Sequence, residues 1–394
     1  MNARLLFTHA LSPLHAGMGQ GVGVIDLPIA REKATGIPYL PGSSLKGTLR
    51  DSCLNKCKNP QDKDNCYGVF GPKNEEADKH AGAAQFADQR LLLLPIRSLA
   101  GTFAWVTSPY LLKRFWRDAN DARLPNIANL TPPKVDGEKC FVVQKYQTNG
   151  QPVECKLKLK VSRADKVVLE DLDLTLTEDA QTKAWAELIG RYVFAGDVEW
   201  QRMLGERFCI VSDDVLSFLL DTATEITARI KLLEDVKTVQ QGGLWYEEAL
   251  PTETILYGFV LATPTGHHKK NGLNEAAIFD VVSKSIEPVV QLGGKATVGR
   301  GLSRLSFQDP QKQAVPNQPG SHQQQSVEKK ETETASSSTV KQEAAVEPAT
   351  KTEPSVSTPS APQKNETVAQ QPSPPQGSTW KVFPTKPMVR KPST

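Results

Sequence analysis

Two polar side chains draw notice through their surroundings. His15 and Asp26 bracket a stretch that carries Gly17, Gly19, Gly21 and Gly23. Glycine-rich loops let backbone approach a ligand closely and present neighbouring side chains outward. A histidine there can act as an acid or as an orienting group. A carboxylate can act as a base or hold a divalent ion. Together they suit attack of a ribose 2′-hydroxyl on its phosphate, which needs a group to deprotonate or orient the hydroxyl and another to neutralise charge. A turn aspartate and a surface histidine would produce the same letters, so the pair stands as a candidate. The glycine spacing argues against a dinucleotide site. Val22 takes the third glycine position of G-x-G-x-x-G, and no acidic residue follows a clear βαβ crossover.

Two further stretches suit phosphate. The run from Pro41 to Arg50 places Ser43 and Ser44 where a helix should begin, with Lys46 and Arg50 four apart on one face. A capped surface helix is the competing reading. The run from Leu292 to Gly301 sets Gly293, Gly294 and Gly299 around Lys295 and Arg300, as in a loop lying along a phosphate backbone. Ala296 after the Gly-Lys pair excludes a Walker loop, and a tight strand connection is the plainer reading. Cys53, Cys57 and Cys66, with His80 following, contain the donors of a zinc site. The spacing lacks a tight C-x2-C knuckle, so reduced thiols are favoured over Zn2+.

The elements that must hold these residues follow from periodicity and turn chemistry. A first strand is expected over 5–10, and Ser43 or Ser44 should cap a helix running through Leu45, Leu49 and Arg50. Residues 51–80 are polar and read as an inserted loop. Strands are expected over 85–94 and 101–106, and helices over 110–119 and 179–192. Two extended runs in 139–161 flank Asn149-Gly150, a hairpin turn signal. The last third is β-rich: strands over 225–232, 254–262 and 302–307, a turn at 239–243, and a helix over 274–290. Without regular βαβ spacing, the class is α+β with antiparallel pairing.

Composition limits the answer. In 394 residues, 39% hydrophobic, the stretch 309–394 has no Leu, Ile, Cys or Tyr, and its only aromatics are Trp380 and Phe383. It cannot bury enough surface to offset its ordering entropy, so it reads as a disordered low-complexity tail behind a folded body over 1–308. That tail holds 10 Lys+Arg and 8 Asp+Glu of totals 47 and 44, which leaves the body 37 against 36. A body at +1 is no general polyanion binder. Any grip on nucleic acid must come from a local strip of cations and amides. The strongest apolar run, Leu91 to Leu94, is far below the ~20 residues of a membrane helix. Six cysteines with no export signal point to reduced thiols and a cytoplasmic setting.

Five stretches, taken in order, resemble the RAMP superfamily of CRISPR proteins. They are Leu-x-Pro-Leu-His-x-Gly from Leu11, Ile-Asp-Leu-Pro-Ile-x-Arg-Glu from Ile25, and Thr-Gly-x-Pro-Tyr-Leu-Pro-Gly-Ser-Ser-Leu-Lys-Gly-x-Leu-Arg from Thr35. Leu-Trp-Tyr-Glu-Glu-x-Leu-Pro from Leu244 and Gly-Gly-Lys-x-Thr-Val-Gly-Arg-Gly from Gly293 complete the set. Within the superfamily the chain is most similar to the repeated backbone subunit of the type III-B (Cmr) effector. The resemblance implies a modified RRM or ferredoxin-like fold with a protruding β-hairpin thumb, placed near 232–248. It implies copies stacked head to tail along a guide CRISPR RNA, beside other Cmr-type subunits. The implied activity is a metal-dependent endoribonuclease, with Mg2+ or Mn2+, that cuts target RNA at regular intervals. The cleavage carboxylate falls on Asp26, with His15 assisting, and guide contacts fall on Ser43, Lys46 and the Gly293 to Gly301 loop. Glu247 matches an acidic position sometimes grouped with the site, although Glu247 and Glu248 could be structural. A non-catalytic scaffold of the same or a Csm-type complex would fit most of these motifs.

Overall fold

The computed structural model of the chain describes residues 2–19, 21, 24–76, 78–144, 146–148, 151–161, 164–263 and 273–308. Gly23, the Asn149-Gly150 turn and the tail from 309 onward lie outside the described residues.

Strand β1 (Asn2–Ala10) shows how the core is divided. Leu5 and Phe7 join one cluster of buried side chains and Leu6 and Ala10 join another, the alternation expected of a strand covered on both faces. β2 (Tyr39–Leu40) leads into α1 (Gly42–Lys56), where Leu45, Leu49 and Cys53 recur at helical spacing on the buried side. α2 (Pro60–Phe70) follows, with Asn59 capping the Asp62 N–H at 2.8 Å and Pro60 at the first position. The polar stretch expected as an inserted loop is therefore largely helical. Cys66, Val69 and Phe70 bury a stripe too narrow to stand out among its charged neighbours. Cys53 and Cys66 are joined in a disulfide, which corrects the expectation that all six thiols are reduced. Among the described residues no group of three or more His, Cys, Asp or Glu is arranged to hold a metal ion.

The chain continues through β3 (Ala84–Phe86), β4 (Gln89–Arg97), β5 (Phe103–Thr107) and α3 (Pro109–Asp121). Next come β6 (Lys139–Val142), β7 (Tyr146–Thr148), β8 (Gln151–Val153), β9 (Leu159–Val161), β10 (Ala164–Leu169) and β11 (Leu172–Thr177). Helices α4 (Thr182–Val193) and α5 (Val198–Arg207), strand β12 (Phe208–Val211) and helix α6 (Asp213–Thr222) precede the hairpin strands β13 (Glu225–Leu232) and β14 (Val239–Ala249). β15 (Ile255–Ala262), α7 (Glu275–Ser285), β16 (Val290–Gln291) and β17 (Leu302–Phe307) close the described body. Helix α7 stops at Ser285 rather than 290 because Ile286 is extended and Pro288 follows.

The fold class is α+β with a mostly antiparallel sheet. Thirteen strands form the main sheet, in the order β16-β17-β1-β15-β4-β5-β12-β6-β11-β10-β9, with β2 and β3 paired to its side. Only the β5–β12 and β6–β11 pairs in it run parallel. Side chains of α1, α2, α6 and α7 fill one face, and those of α3, α4 and α5, including Phe115, Trp185 and Leu204, fill the other. β7 and β8 pair antiparallel, as the Asn149-Gly150 signal implied.

β13 and β14 form a separate two-stranded sheet. Its turn is at residues 233–238, closed by Leu233 N–H to Thr238 O at 2.8 Å. The turn expected at 239–243 lies instead within β14, where Gly242 has a φ of 73° beside a register shift. The hairpin therefore spans Glu225 to Ala249. Ile226, Ile230, Leu244 and Tyr246 are exposed on it. No described helix is long and apolar enough to cross a membrane.

Candidate active site and nucleic-acid interface

One edge of β14 pairs with β13, and the other takes up the loop that carries Asp26. Leu27 N–H donates to Tyr246 O at 3.1 Å and Glu248 N–H donates to Leu27 O at 3.0 Å. Asp26 Oδ2 accepts the Tyr246 N–H at 2.8 Å. His15 Nδ1 lies 2.6 Å from Glu248 O. A carbonyl only accepts, so Nδ1 carries a proton and donates it to Glu248 O. His15 and Asp26 are therefore anchored by backbone groups two residues apart on the same strand edge, where amides and carbonyls point the same way.

Their surroundings differ. Asp26 is exposed. His15 is buried, 6% exposed, beneath two glycine segments. A Cβ at Gly17 would stand 2.6 Å from His15 Nε2, so any other residue there would displace the ring. A Cβ at Gly293, whose φ is +72°, would stand 2.4 Å from His15 O. Gly294 N–H donates to that same carbonyl at 2.9 Å. The ring thus joins β14, the Asp26 loop and the second glycine loop.

Glu248 fastens the Asp26 loop further along. Its Oε2 accepts the Ile29 N–H at 3.0 Å and its Oε1 pairs with Arg31 Nη2 at 2.7 Å. Arg31 in turn donates to Gly36 O and Leu220 O. Arg31 and Glu248 were present in the sequence motifs, but the pairing across 217 residues gave no local signal. Glu247 points to the opposite face of β14. Its carboxylate meets Lys295 Nζ at 2.7 Å, Trp245 Nε1 at 2.8 Å and Arg229 Nε at 3.2 Å. Burial alone would raise its pKa, but the bonds from Lys295, Trp245 and Arg229 outweigh burial and hold it down at about 2. Glu247 is a fixed anion that clamps the glycine loop to the hairpin base, and it has no proton to exchange near neutrality.

The two phosphate-type stretches are engaged to different degrees. Pro41 rather than a serine stands at the N-cap of α1, and neither hydroxyl caps it. The Gly42 N–H is already taken by Asp88 Oδ1 at 2.9 Å, so Ser43 and Ser44 sit inside the first turn, Ser43 exposed. Lys46 is half-buried, and burial followed by the Arg50 charge lowers its pKa. Arg50 Nη2 donates to Pro72 O at 2.6 Å, and its guanidinium lies over the Tyr67 ring. In the second stretch Gly299 is exposed, while Arg300 is 7% exposed and donates from Nη2 to Thr227 Oγ1 at 3.0 Å. Its Nη1 is buried without a partner. Thr48 Oγ1 to Gln291 O, at 3.2 Å, joins α1 to this loop. The structure thus gathers His15, Asp26, Gly293, Gly294, Lys295 and Arg300 around β14 and sets α1 beside them.

For a divalent ion the chain offers Asp26 as a single exposed carboxylate, since Glu247 and Glu248 are each committed to cations. Mg2+ at nucleic-acid sites is commonly held by one or two carboxylates, with phosphate oxygens and waters completing the shell. The donor set fits on those terms and on no others.

The RAMP superfamily model matches residues 9–306. The CRISPR system Cmr endoribonuclease Cmr4 of Pyrococcus furiosus is 33% identical over 322 residues, 82% of this chain and 99% of the relative. The crystal structure of oligomeric Cmr4 from Pyrococcus furiosus superposes with a TM-score of 0.56 at 28% identity, covering 78% of this chain and 98% of that one. A chain of the type III-B Cmr-beta complex bound to cognate target RNA, 22% identical over 78% of this chain and 97% of its own, shares the fold with a TM-score of 0.56.

Proposed function

The chain belongs to the RAMP superfamily, and from that premise we propose that it is the repeated backbone subunit of a type III-B CRISPR effector complex and the endoribonuclease that cuts its target RNA. The endoribonuclease activity of the Pyrococcus furiosus relative supports the reaction, and the oligomeric state of its crystal structure supports self-stacking. Copies lie head to tail along the guide CRISPR RNA, beside other Cmr-type subunits. In this reading the body over 1–308 is a modified RRM-like domain and the β13–β14 hairpin is its thumb.

The observation that carries the cleavage reading is the shared anchoring of His15 and Asp26 on one edge of β14. Asp26 is the exposed carboxylate and meets the target. Tyr246 N–H fixes one of its oxygens, which leaves the group oriented to take a proton from a 2′-hydroxyl. A divalent ion, Mg2+ or Mn2+, held by Asp26 together with RNA phosphates, would supply charge neutralisation at the phosphate. His15 assists as an orienting group. Its ring is buried, and it keeps the Asp26 loop and the Gly293 loop in register with the strand. A regular A-form helix denies a 2′-hydroxyl the in-line approach to its own phosphate, so a hairpin that displaces one nucleotide belongs to the mechanism. As the 2′-oxygen bonds to phosphorus, the bond from phosphorus to the 5′-oxygen breaks and that oxygen takes a proton from solvent, which leaves a 2′,3′-cyclic phosphate and a free 5′-hydroxyl. Guide contacts fall to Ser43, Ser44, Lys46 and Arg50 on α1 and to Gly293, Gly294, Lys295, Gly299 and Arg300 on the loop beside it. Since Lys295 and Arg300 already hold the hairpin base, the same loop links guide binding to thumb position.

The test is Asp26→Asn in the assembled complex. Target cleavage is expected to disappear while guide affinity stays within about threefold, because the carboxylate acts on the transition state more than on the ground state. Cutting at the wild-type rate would leave the chain a non-catalytic scaffold.

A further inference from the structure

The six cysteines gather into two places, and one of these carries a chemistry that RNA cleavage does not use. Cys53 lies on the buried face of α1 and is bonded to Cys66 of α2, with the Cα atoms 6.1 Å apart. Cys57, the C-cap residue of α1, is a free thiol. Its Sγ is 3.5 Å from Cys66 Sγ, and it donates to Cys53 O at 3.2 Å. A cavity of 250 Å³ opens on all three sulfur-bearing residues and is also lined by Lys56, Asp62 and Lys284. A structural disulfide needs no third thiol in contact with it. A disulfide that exchanges does, since the attacking sulfur must reach one bonded sulfur and displace the other.

We propose that Cys53, Cys57 and Cys66 form an intramolecular thiol–disulfide exchange site in which Cys57 is the attacking thiol. The Cys57 thiol loses its proton to solvent, and the thiolate sulfur forms a bond to Cys66 Sγ. The Cys53–Cys66 bond breaks, and Cys53 leaves as a thiolate that takes a proton from solvent. One disulfide and one thiol stand on each side, so no oxidant or reductant is consumed. The exchange moves the tether of α2 from the buried face of α1 to its C-terminal cap. In the resting state the thiol is restrained. Burial raises the Cys57 pKa first and the nearby Asp62 carboxylate raises it further, against a smaller opposing effect from Lys63. Exchange therefore speeds up with pH and with removal of the Asp62 charge.

The experiment uses the full chain purified without reductant. Samples held at about pH 8.5 and about pH 6.5 are quenched with acid, blocked with N-ethylmaleimide and mapped for linked peptides. Both Cys53–Cys66 and Cys57–Cys66 linkages are expected, with the blocking label divided between Cys57 and Cys53. Redistribution after a pH jump should slow about tenfold for each pH unit lowered, as the thiolate fraction does, and should quicken in Asp62→Asn. In Cys53→Ser, air oxidation should give the Cys57–Cys66 bond. The proposal is overturned if the label stays on Cys57 at both pH values while Cys53→Ser leaves Cys57 and Cys66 both open to alkylation. It is equally overturned if the purified chain carries six alkylatable thiols, or holds a stoichiometric metal ion that releases three of them on chelation.

Discussion

Asp26 and His15 are anchored on the same strand edge, yet one is exposed and the other buried, and that contrast separates their roles. Replacing His15 with Ala leaves Glu248 O without its donor and opens space beneath Gly17 and Gly294, a change that costs about 1–3 kcal/mol for the unsatisfied carbonyl. A lowered melting temperature and a reduced cleavage rate are expected. The pH–rate profile should keep its shape, because a positioning group alters the rate without contributing a titration. A lost limb in that profile would instead make His15 a proton-transfer group. Glu247 gives a separate pH test. Its pKa is depressed from 4.5 to about 2, so the stability it lends is complete above about 4.5 and is lost as the pH falls from there through about 2. Amide protection factors in β13 and β14, taken relative to the unprotected rate at each pH, should therefore fall on acidification across that window. In Glu247→Gln those protection factors should be low already at neutral pH and unchanged by the acid step. The glycine spacing around His15 and Asp26 was legible in the sequence because it is contiguous. The commitment of Glu247 to three donors was not, since Arg229 and Lys295 reach it from two different elements.

At the scale of elements, α1 and the Gly293 to Gly301 loop present cations in different states. Lys46 is half-buried on α1 with no carboxylate partner among its described hydrogen bonds and ion pairs, whereas Lys295 is already bound to Glu247. Lys46→Ala should weaken guide RNA binding for every guide sequence and reduce the slope of log affinity against log salt by about 0.7–0.9. Lys295→Ala should flatten that slope less, because the wild-type lysine arrives at RNA already neutralised, and it should also loosen the hairpin. Equal slopes in both variants would show that the Glu247 pair opens fully when guide RNA binds. Strands β13 and β17 were readable from alternation to the residue. Helix α2 was hidden by its charge, and a turn was expected at 239–243, where Gly242 and Gly243 stand. Here Gly242 relieves a register shift inside a strand, and the turn at 233–238 uses no glycine.

For the whole molecule, Gln308 bonds back to the first strand, its N–H donating to Leu5 O and its side-chain oxygen accepting the Leu5 N–H, both at 2.9 Å. The α+β class was legible from composition and element order. The mixed parallel pairs were not, because β6, β11 and β12 are joined through long connections. A body of this kind that stacks head to tail repeats its active site at one fixed translation. On the proposed reading, each β13–β14 hairpin displaces one nucleotide of the target per copy, and each Asp26 faces the phosphate beside it. Cuts should form a ladder with a single interval that is set by the protein and not by the target sequence. The sites should act independently, since every copy carries its own Asp26 and its own anchoring strand. Assemblies doped with Asp26→Asn subunits should lose intensity at every rung in proportion to the dose, with no rung displaced. Shortening the hairpin tip at 233–238 should instead blur the ladder, because the displaced nucleotide is no longer held open. The measurement is a denaturing gel of end-labelled targets of unrelated sequence, each paired to its own guide. Cut positions that wander with sequence, or a single cut whatever the guide length, would rule out a stacked backbone as the ruler.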